Sequence, residues 1–164
     1  MGLDNIPKEY ACKKQGTAVM VERKDKDGNP LIDDDGSVMT VIDCQATQEC
    51  GGCPWKNHFQ GMKGHVMGIF GTDCWYRGKY GNALLGALGF DTDEISFYGD
   101  EEDGTVKTPK SCLELADHME TSLMEDEIYW EGWESEQEVI TDAKYAIEWL
   151  KWVAKECEGS VCWY

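Results

Sequence analysis

Two cysteines separated by two glycines, Cys50-Gly51-Gly52-Cys53, have the spacing with the clearest chemistry in the chain. Glycines let backbone N–H groups approach sulfur, and a tight C-x-x-C turn often supplies half of a tetrahedral zinc or iron site. The other half must come from elsewhere in the sequence. We predict that Cys44 and Cys74 complete the set, with His58 and His65 as the alternative ligands. Because four cysteines leave no open coordination position, the predicted zinc is structural and not catalytic.

These cysteines are also compatible with roles that involve no metal. The chain has no second C-x-x-C, and His58 and His65 are seven residues apart, beyond the spacing of a zinc finger. The eight cysteines could instead form disulfides or remain buried thiols. A redox C-x-x-C begins a helix, and Pro54 directly after Cys53 is compatible with a first helical turn. A nucleophile formed by Cys74 with either histidine would need contacts that the sequence does not indicate.

A basic and aromatic stretch that follows Cys74 is the best candidate for a ligand site. Arg77 and Lys79 are its bases, and we predict a short helix after them with Asn82 as N-cap and Gly89 past its end. Helix N-termini bind anions, and arginine and aromatic rings suit phosphates and nucleotide bases. Pairing of the two bases with the protein's own acids is the alternative. The predicted ligand-binding residues are Trp75, Tyr76, Arg77, Lys79, Tyr80 and Asn82.

The chain carries a net charge of −17, and this charge is unevenly distributed. Residues 44–82 are locally +2, whereas residues 91–142 contain eighteen acids and two bases. Such a charge argues against direct binding to nucleic acid or to an anionic membrane, since both are themselves negative. Solubility, adaptation to high salt and imitation of nucleic-acid phosphates would each account for it. If the charge imitates nucleic-acid phosphates, four carboxylates would face a basic protein partner, namely those of Glu125, Asp126, Glu127 and Glu131.

The N-terminus and the hydropathy pattern favour a cytoplasmic location. Residues 1–7 lack the basic and apolar regions of a secretory signal, and no run of about eighteen apolar residues predicts a membrane span. In such a chain, cysteines are expected to be reduced or metal-bound.

The elements that would position these groups read as one α+β domain over residues 1–164. Residues 1–43 are interpreted as an arm followed by an antiparallel hairpin, with strands at 17–23 and 37–43. Residues 44–90 are the Cys- and Gly-rich basic segment. Residues 91–164 begin as an acidic loop, with a short strand at 95–98, and continue as helices.

Two C-terminal amphipathic helices are the strongest secondary-structure signals. The capping boxes Ser111-x-x-Glu114 and Ser135-x-x-Glu138 are predicted to open them, and apolar residues recur after each at three- and four-residue spacing. Tyr145, Trp149 and Trp152 form an aromatic stripe that core packing explains best. The apolar tail 161–164 is expected to dock on the rest of the protein.

The leading functional hypothesis is a binding protein and not an enzyme. It is an acidic protein that binds a basic partner, and its specific form is an inhibitor of a nucleic-acid-handling protein, as viral accessory proteins provide. The second hypothesis is a small-ligand binder or enzyme that uses a nucleotide or phosphate, although no P-loop or dinucleotide-binding motif is present. The third is a self-associating coat or filament subunit.

Overall fold

The computed structural model of the chain describes residues 4–58, 76–100, 104–125 and 127–163. The chain divides into two compact units, a larger one of residues 1–10 with 61–164 and a smaller one of residues 11–60. Helices occur together with antiparallel sheets, so the predicted α+β class is confirmed. The assignment of the chain to a single domain stays a prediction.

Six helices and six strands occur in the described residues. The helices are α1 (Ala11–Lys14), α2 (Cys44–Glu49), α3 (Pro54–His58), α4 (Gly78–Ala87), α5 (Pro109–Glu125) and α6 (Glu136–Glu156). The strands are β1 (Asp4–Pro7), β2 (Met20–Glu22), β3 (Thr40–Ile42), β4 (Tyr76–Arg77), β5 (Val106–Lys107) and β6 (Ser160–Trp163).

A β arm, residues 20–42 of the smaller unit, confirms the predicted N-terminal hairpin. β2 and β3 are antiparallel partners, with Val21 opposite Val41. Both are shorter than predicted, because the chain between them makes two separate turns. Isolated bridges, Lys24 to Pro30 and Ile32 to Val38, close these turns.

The two turns repeat one hydrogen-bond pattern eight residues apart. Oδ1 of Asp25 accepts the backbone N–H groups two and four residues further on, both at 2.9 Å. Oδ1 of Asp33 accepts the equivalent N–H groups at 3.1 and 2.8 Å. Each turn ends at a glycine with positive φ, Gly28 at 87° and Gly36 at 82°, a conformation that glycine adopts without steric penalty.

Three residues that are also eight apart join the turns to the strands. The N–H of Leu31 donates to the carbonyl of Arg23 at 2.8 Å, and the N–H of Arg23 donates to that of Met39 at 2.8 Å. The N–H of Met39 donates to the carbonyl of Leu31 at 2.8 Å, which closes a ring. Each of the three residues thus donates once and accepts once, so all six backbone groups at this three-way junction are paired.

The larger unit contains a four-stranded antiparallel sheet with the strand order β4-β1-β6-β5. β1 lies between β4 and β6, so the interpretation of the first residues as an arm is wrong for this stretch. Its four residues contain Pro7 and show no alternation that would reveal a strand. Asn5 faces Cys162 and Ile6 faces Val161, which confirms that the apolar tail docks.

Asn5 and Cys162 make a buried polar contact between the first and last strands. The thiol of Cys162 lies 3.0 Å from Oδ1 of Asn5 and 3.2 Å from the carbonyl oxygen of Phe97. Burial raises the pKa of Cys162 to about 11. The thiol is therefore protonated at neutral pH and acts as a hydrogen-bond donor.

Helices α5 and α6 pack against each other and form the core of the larger unit. α5 buries Leu115, Ala116 and Met119, which lie on the apolar face that the sequence predicts. The aromatic stripe of α6 is buried as well, with Tyr145 at 1%, Trp149 at 0% and Trp152 at 6% exposure. Its assignment to core packing is confirmed.

Helix α5 begins three residues earlier than predicted, with Thr108 instead of Ser111 at its N-cap. Oγ1 of Thr108 accepts the N–H of Ser111 at 3.2 Å, so Ser111 is inside the first turn and does not cap it. Pro109 then occupies the first helical position, where its fixed φ is suitable and its missing N–H has no cost. The predicted strand at 95–98 is also wrong, since the chain follows a turn at 92–94 with bends there.

Asp100 holds the start of α5. Its Oδ2 accepts the N–H of Thr108 at 3.0 Å, and its Oδ1 lies 3.1 Å from Nζ of Lys107. Burial opposes ionisation of this carboxyl. Hydrogen bonds from Ser111 and Thr108, together with the charge of Lys107, outweigh that effect and hold the pKa of Asp100 below its ordinary value.

We expect Trp149→Ala to lower the free energy of unfolding by about 3–5 kcal/mol, because it empties a fully buried indole site. Urea denaturation followed by circular dichroism measures the change. Trp130→Ala is the matched control: Trp130 is 49% exposed, and we expect a change within about 0.5 kcal/mol. Equal losses from the two variants would contradict the assignment of the core to α6.

We expect Asp100→Asn to destabilise the protein near neutral pH and to have less effect in acid. A carboxyl whose pKa is lowered by folding stabilises the protein above its unfolded pKa of about 3.9, and this stability is lost as pH falls through the folded pKa. Urea denaturation from pH 7 down to pH 3 follows the difference between the variant and the parent. The exposed acid Asp117, changed to Asn, is the control, and a difference for Asp100→Asn that did not vary with pH would contradict the account.

Candidate functional site

The first half of the Cys- and Gly-rich segment folds as a capped helix followed by a tight turn. Asp43 is the N-cap of α2, and its Oδ1 accepts the N–H of Ala46 at 2.9 Å. Thr47 is buried, and its hydroxyl donates to the carbonyl of Asp43 and accepts the N–H of Val19. These contacts fix α2 to the chain that enters the β arm. They place the C-G-G-C turn directly after the helix.

Gly52 in this turn approaches the backbone of Thr17 too closely for any other residue. A Cβ at this position would overlap the carbonyl oxygen of Thr17. The Thr17 hydroxyl lies 2.6 Å from the carbonyl oxygen of Gly52 and 3.3 Å from that of Cys12. Residues far apart in sequence, 12–17 and 50–53, are thereby brought together.

Cys12 is consequently the cysteine that the structure associates with Cys53. Burial raises the pKa of the Cys12 thiol, and the neighbouring Cys53 raises it further. Sequence reasoning did not include Cys12 among the candidate ligands. It precedes the C-G-G-C turn by 38 residues and lies in a stretch without periodicity. The even number of cysteines was the one sequence feature compatible with a second cysteine near Cys12.

The predicted zinc site stays a prediction. Cys44 lies in α2, Cys50 is exposed and Cys53 is half-buried, whereas Cys74 lies outside the described residues. In the part of the chain that the structure describes, no three or more His, Cys, Asp or Glu side chains are grouped to hold a metal ion. The three described cysteines of the predicted set therefore do not form such a group.

The predicted ligand stretch adopts a different local structure from the expected one. Tyr76 and Arg77 form β4, with Arg77 opposite Asp4 of β1, and α4 begins at Gly78. Lys79 and Tyr80 therefore lie in its first turn. Trp75 and the side chains of residues 76–81 lie outside the described parts of the structure.

Asn82 is not the N-cap that the sequence predicted, because the helix starts four residues earlier. Its Oδ1 instead accepts the N–H of Phe97 at 3.4 Å, so it ties α4 to the loop that follows. Gly89 does end the helix region as predicted, with a φ of 83°. The predicted ligand role of this stretch stays a prediction.

The predicted partner residues lie at and after the end of α5. Glu125, Glu127 and Glu131 are exposed, and Asp126 lies outside the described residues. The larger unit, to which they belong, contains 24 acids and 9 bases, whereas the smaller unit contains 8 acids and 6 bases. Nearly all of the net charge is therefore on the unit that contains α5 and α6.

Three large apolar side chains are exposed beside these carboxylates. Met124 is 78% exposed, Tyr129 is 60% exposed and Trp130 is 49% exposed. Sequence reasoning missed them, since an isolated tryptophan in an acidic loop gives no sign of whether it is buried. Aromatic side chains and methionine are enriched in the centres of protein interfaces, where they contribute most of the affinity.

The loop that carries these side chains has a defined backbone. The N–H of Tyr129 donates to the carbonyl of Ala87 at the end of α4, at 2.8 Å. Residues 130–133 form a turn in which the N–H of Trp133 donates to the carbonyl of Trp130 at 2.9 Å. Gly132 has a φ of 90°, as the third residue of a type II turn requires. Ser135 then caps α6 as predicted, accepting the N–H of Glu138 at 3.2 Å.

Cys112 and Cys162 of the larger unit are unsuited to thiol chemistry. Both are buried, and burial raises the pKa of each to about 11 despite partly compensating hydrogen bonds. A thiol must ionise to act as a nucleophile or metal ligand. Among the cysteines that the structure describes, Cys50 is exposed and Cys44 and Cys53 are half-buried, so the thiols open to chemistry lie in the smaller unit.

Comparison with other proteins found no match to a protein-family model, to a curated protein or to a solved structure. Within the described ranges, none of the helices has the combination of length and apolar character that a membrane crossing requires.

We expect iodoacetamide to modify Cys50 at least about tenfold faster than Cys112 or Cys162 in native, chelator-treated protein at pH 8, since a buried thiol with a raised pKa is inert. Mass spectrometry of peptides taken at successive times measures the three rates. Labelling in urea is the control and should remove the difference. Equal rates in the native protein would contradict the burial of Cys112 and Cys162. Omitting the chelator extends the experiment to zinc, because bound metal would protect Cys50 and Cys53.

Proposed function

We propose that the protein is an acidic interaction protein that binds a basic protein partner through the acidic-aromatic surface, defined as residues 124–131. The observation that carries the proposal is the exposure of Met124, Tyr129 and Trp130 among the carboxylates of Glu125, Glu127 and Glu131. Acidic residues alone are explained by solubility. Large apolar side chains exposed next to them are not, because exposure of such groups has no benefit for solubility.

The two kinds of side chain would contribute differently to binding. The charge of the larger unit would attract a basic partner and speed association, and this effect weakens as salt is added. The aromatic rings and Met124 would lose solvent on contact and slow dissociation. Because the backbone of residues 129–133 is held by its turn and by Ala87, little ordering would be required on binding.

The chemistry of the partner follows from the charge. The most specific form of the proposal is that the partner handles nucleic acid and that these carboxylates occupy its phosphate-binding surface, so that the protein acts as an inhibitor. Such a partner would have arginine and lysine side chains placed for phosphate. The free thiols of Cys12, Cys50 and Cys53 suit a reducing compartment such as the cytoplasm.

We expect neutralisation of the acidic-aromatic surface to weaken binding to core histones, used as a basic DNA-binding probe. The variant combines Glu125→Gln, Asp126→Asn, Glu127→Gln and Glu131→Gln, and a loss of about tenfold corresponds to 1.4 kcal/mol. Surface plasmon resonance on the immobilised protein measures the affinity at two salt concentrations. Trp130→Ala is expected to raise the dissociation rate with little change in the salt dependence.

A second variant tests whether binding depends on the position of the carboxylates or only on the total charge of the protein. Glu22→Gln, Asp27→Asn, Asp34→Asn and Asp35→Asn remove the same charge from exposed positions of the β arm. We expect this variant to bind histones nearly as well as the parent, and we expect duplex DNA to compete with the protein. Equal weakening by both variants, or unaltered binding by the first, would rule out the acidic-aromatic surface as the contact.

A further inference from the structure

A pocket of about 610 Å³ lies beside the acidic-aromatic surface, between α4, the loop that precedes α6, and α6 itself. This volume is within the range of about 300–1,000 Å³ that ligand sites occupy. On the helix side it is lined by Ala83, Gly86 and Ala87, which are one turn apart on α4. All three side chains are small, and their size leaves the space open.

The other side of the pocket is aromatic and acidic. Tyr129 and Trp133 contribute rings, and the exposed Glu131 and Glu134 contribute carboxylates. Among the described lining residues four are acids and none is a base. A concave site with two rings and two exposed carboxylates suits an organic cation, because rings attract cations at their faces and carboxylates neutralise them.

The backbone holds these groups in place before any ligand arrives. Tyr129 is tied to Ala87, which is itself a lining residue, at 2.8 Å. The type II turn at Gly132 separates Glu131 from Trp133, and Oε2 of Glu138 accepts the N–H of Glu134 at 2.7 Å. A site fixed in this way loses little conformational freedom on binding.

We propose that this pocket receives an arginine side chain of the basic partner, with the guanidinium against Trp133 and within reach of the carboxylates of Glu131 and Glu134. This assignment rests on the proposed function and adds to it one specific contact, an arginine side chain of the partner bound in the pocket. Arginine is favoured over lysine because a planar guanidinium stacks on an indole and donates to two carboxylates at once, whereas an ammonium is a compact and strongly hydrated charge. Glu131 belongs to both the pocket and the acidic-aromatic surface, so the anchor would lie at the edge of the same contact.

Gly86 allows the pocket to be filled without disturbing the fold. Its φ is not positive, and a Cβ added there meets nothing within 4 Å. Gly86→Leu therefore places a side chain into the open space, and leucine is also the better helix former. The fluorescence anisotropy of a capped, labelled peptide with two arginines separated by glycine measures binding. We expect Gly86→Leu to weaken it by about tenfold or more, which corresponds to at least 1.4 kcal/mol.

Two comparisons make the assignment falsifiable. Thr121→Leu, which adds a leucine at an exposed position of α5, should bind the peptide as the parent does. A peptide with lysine in place of arginine, and the free polyamine spermidine, should both bind more weakly than the arginine peptide. Parent-like binding by Gly86→Leu, or equal binding of lysine or spermidine, would overturn the proposal.

The outcomes for the pocket and for the proposed function are distinguishable. Gly86→Leu leaves Glu125, Glu127 and Glu131 in place, whereas the fourfold amide variant leaves Gly86 unchanged. If the amide variant loses histones while Gly86→Leu still binds the arginine peptide like the parent, the pocket assignment fails and the proposed function stands. If the amide variant still binds histones like the parent, the proposed function fails, and the pocket assignment, which rests on it, is overturned as well.

Discussion

Ten of the 21 residues of α6 are buried, and they lie around more of the helix than a single stripe would occupy. A helix of this kind must be covered on several sides, and here α5 and α4 both pack against it. The consequences extend to its first residue. Because α6 is held by its core, Ser135 at its N-cap and the turn at Gly132 that precedes it have a fixed backbone. The backbone of the loop that carries the exposed Trp130 and Glu131 thus depends on the burial of Trp149, about four turns further along the helix.

The features that the sequence predicts well are those set by local pattern. The long apolar face of α6 with its Ser135 cap and the stop at Gly89 depend on residues a few positions apart. The features it misses depend on distant residues. β1 has too few residues to show a pattern and is a strand because β6 pairs with it, and Cys12 lies near Cys53 because the chain folds back on itself at Thr17 and Gly52. The error at the start of α5 has another cause, since Thr108 and Ser111 are both good caps and Pro109 decides between them.

The candidate site was predicted only in part, for a related reason. Charge is visible in a sequence, so the carboxylates of the acidic-aromatic surface were identified by composition. Exposure is not visible, and Trp130 and Trp149 have the same side chain but opposite environments. The accessible thiols and the acidic-aromatic surface also fall in different units, with Cys44, Cys50 and Cys53 in the smaller one and residues 124–131 in the larger one. The two hypotheses that the sequence raised, metal binding and binding of a basic partner, therefore concern separate parts of the chain.

The β arm could lose either of its two turns, eight residues each, without a change in the pairing of β2 and β3. Thr40 faces Glu22, and the ring of hydrogen bonds places both Leu31 and Met39 beside Arg23. Removing residues 24–31 would bring Ile32 next to Arg23 in sequence, so the Ile32–Val38 bridge would continue the register of β2 and β3 without a shift. Removing residues 32–39 would let the Lys24–Pro30 bridge continue it in the same way. Either turn alone would therefore keep the register of β2 and β3, so the arm has the form of a simple hairpin lengthened by a second eight-residue turn.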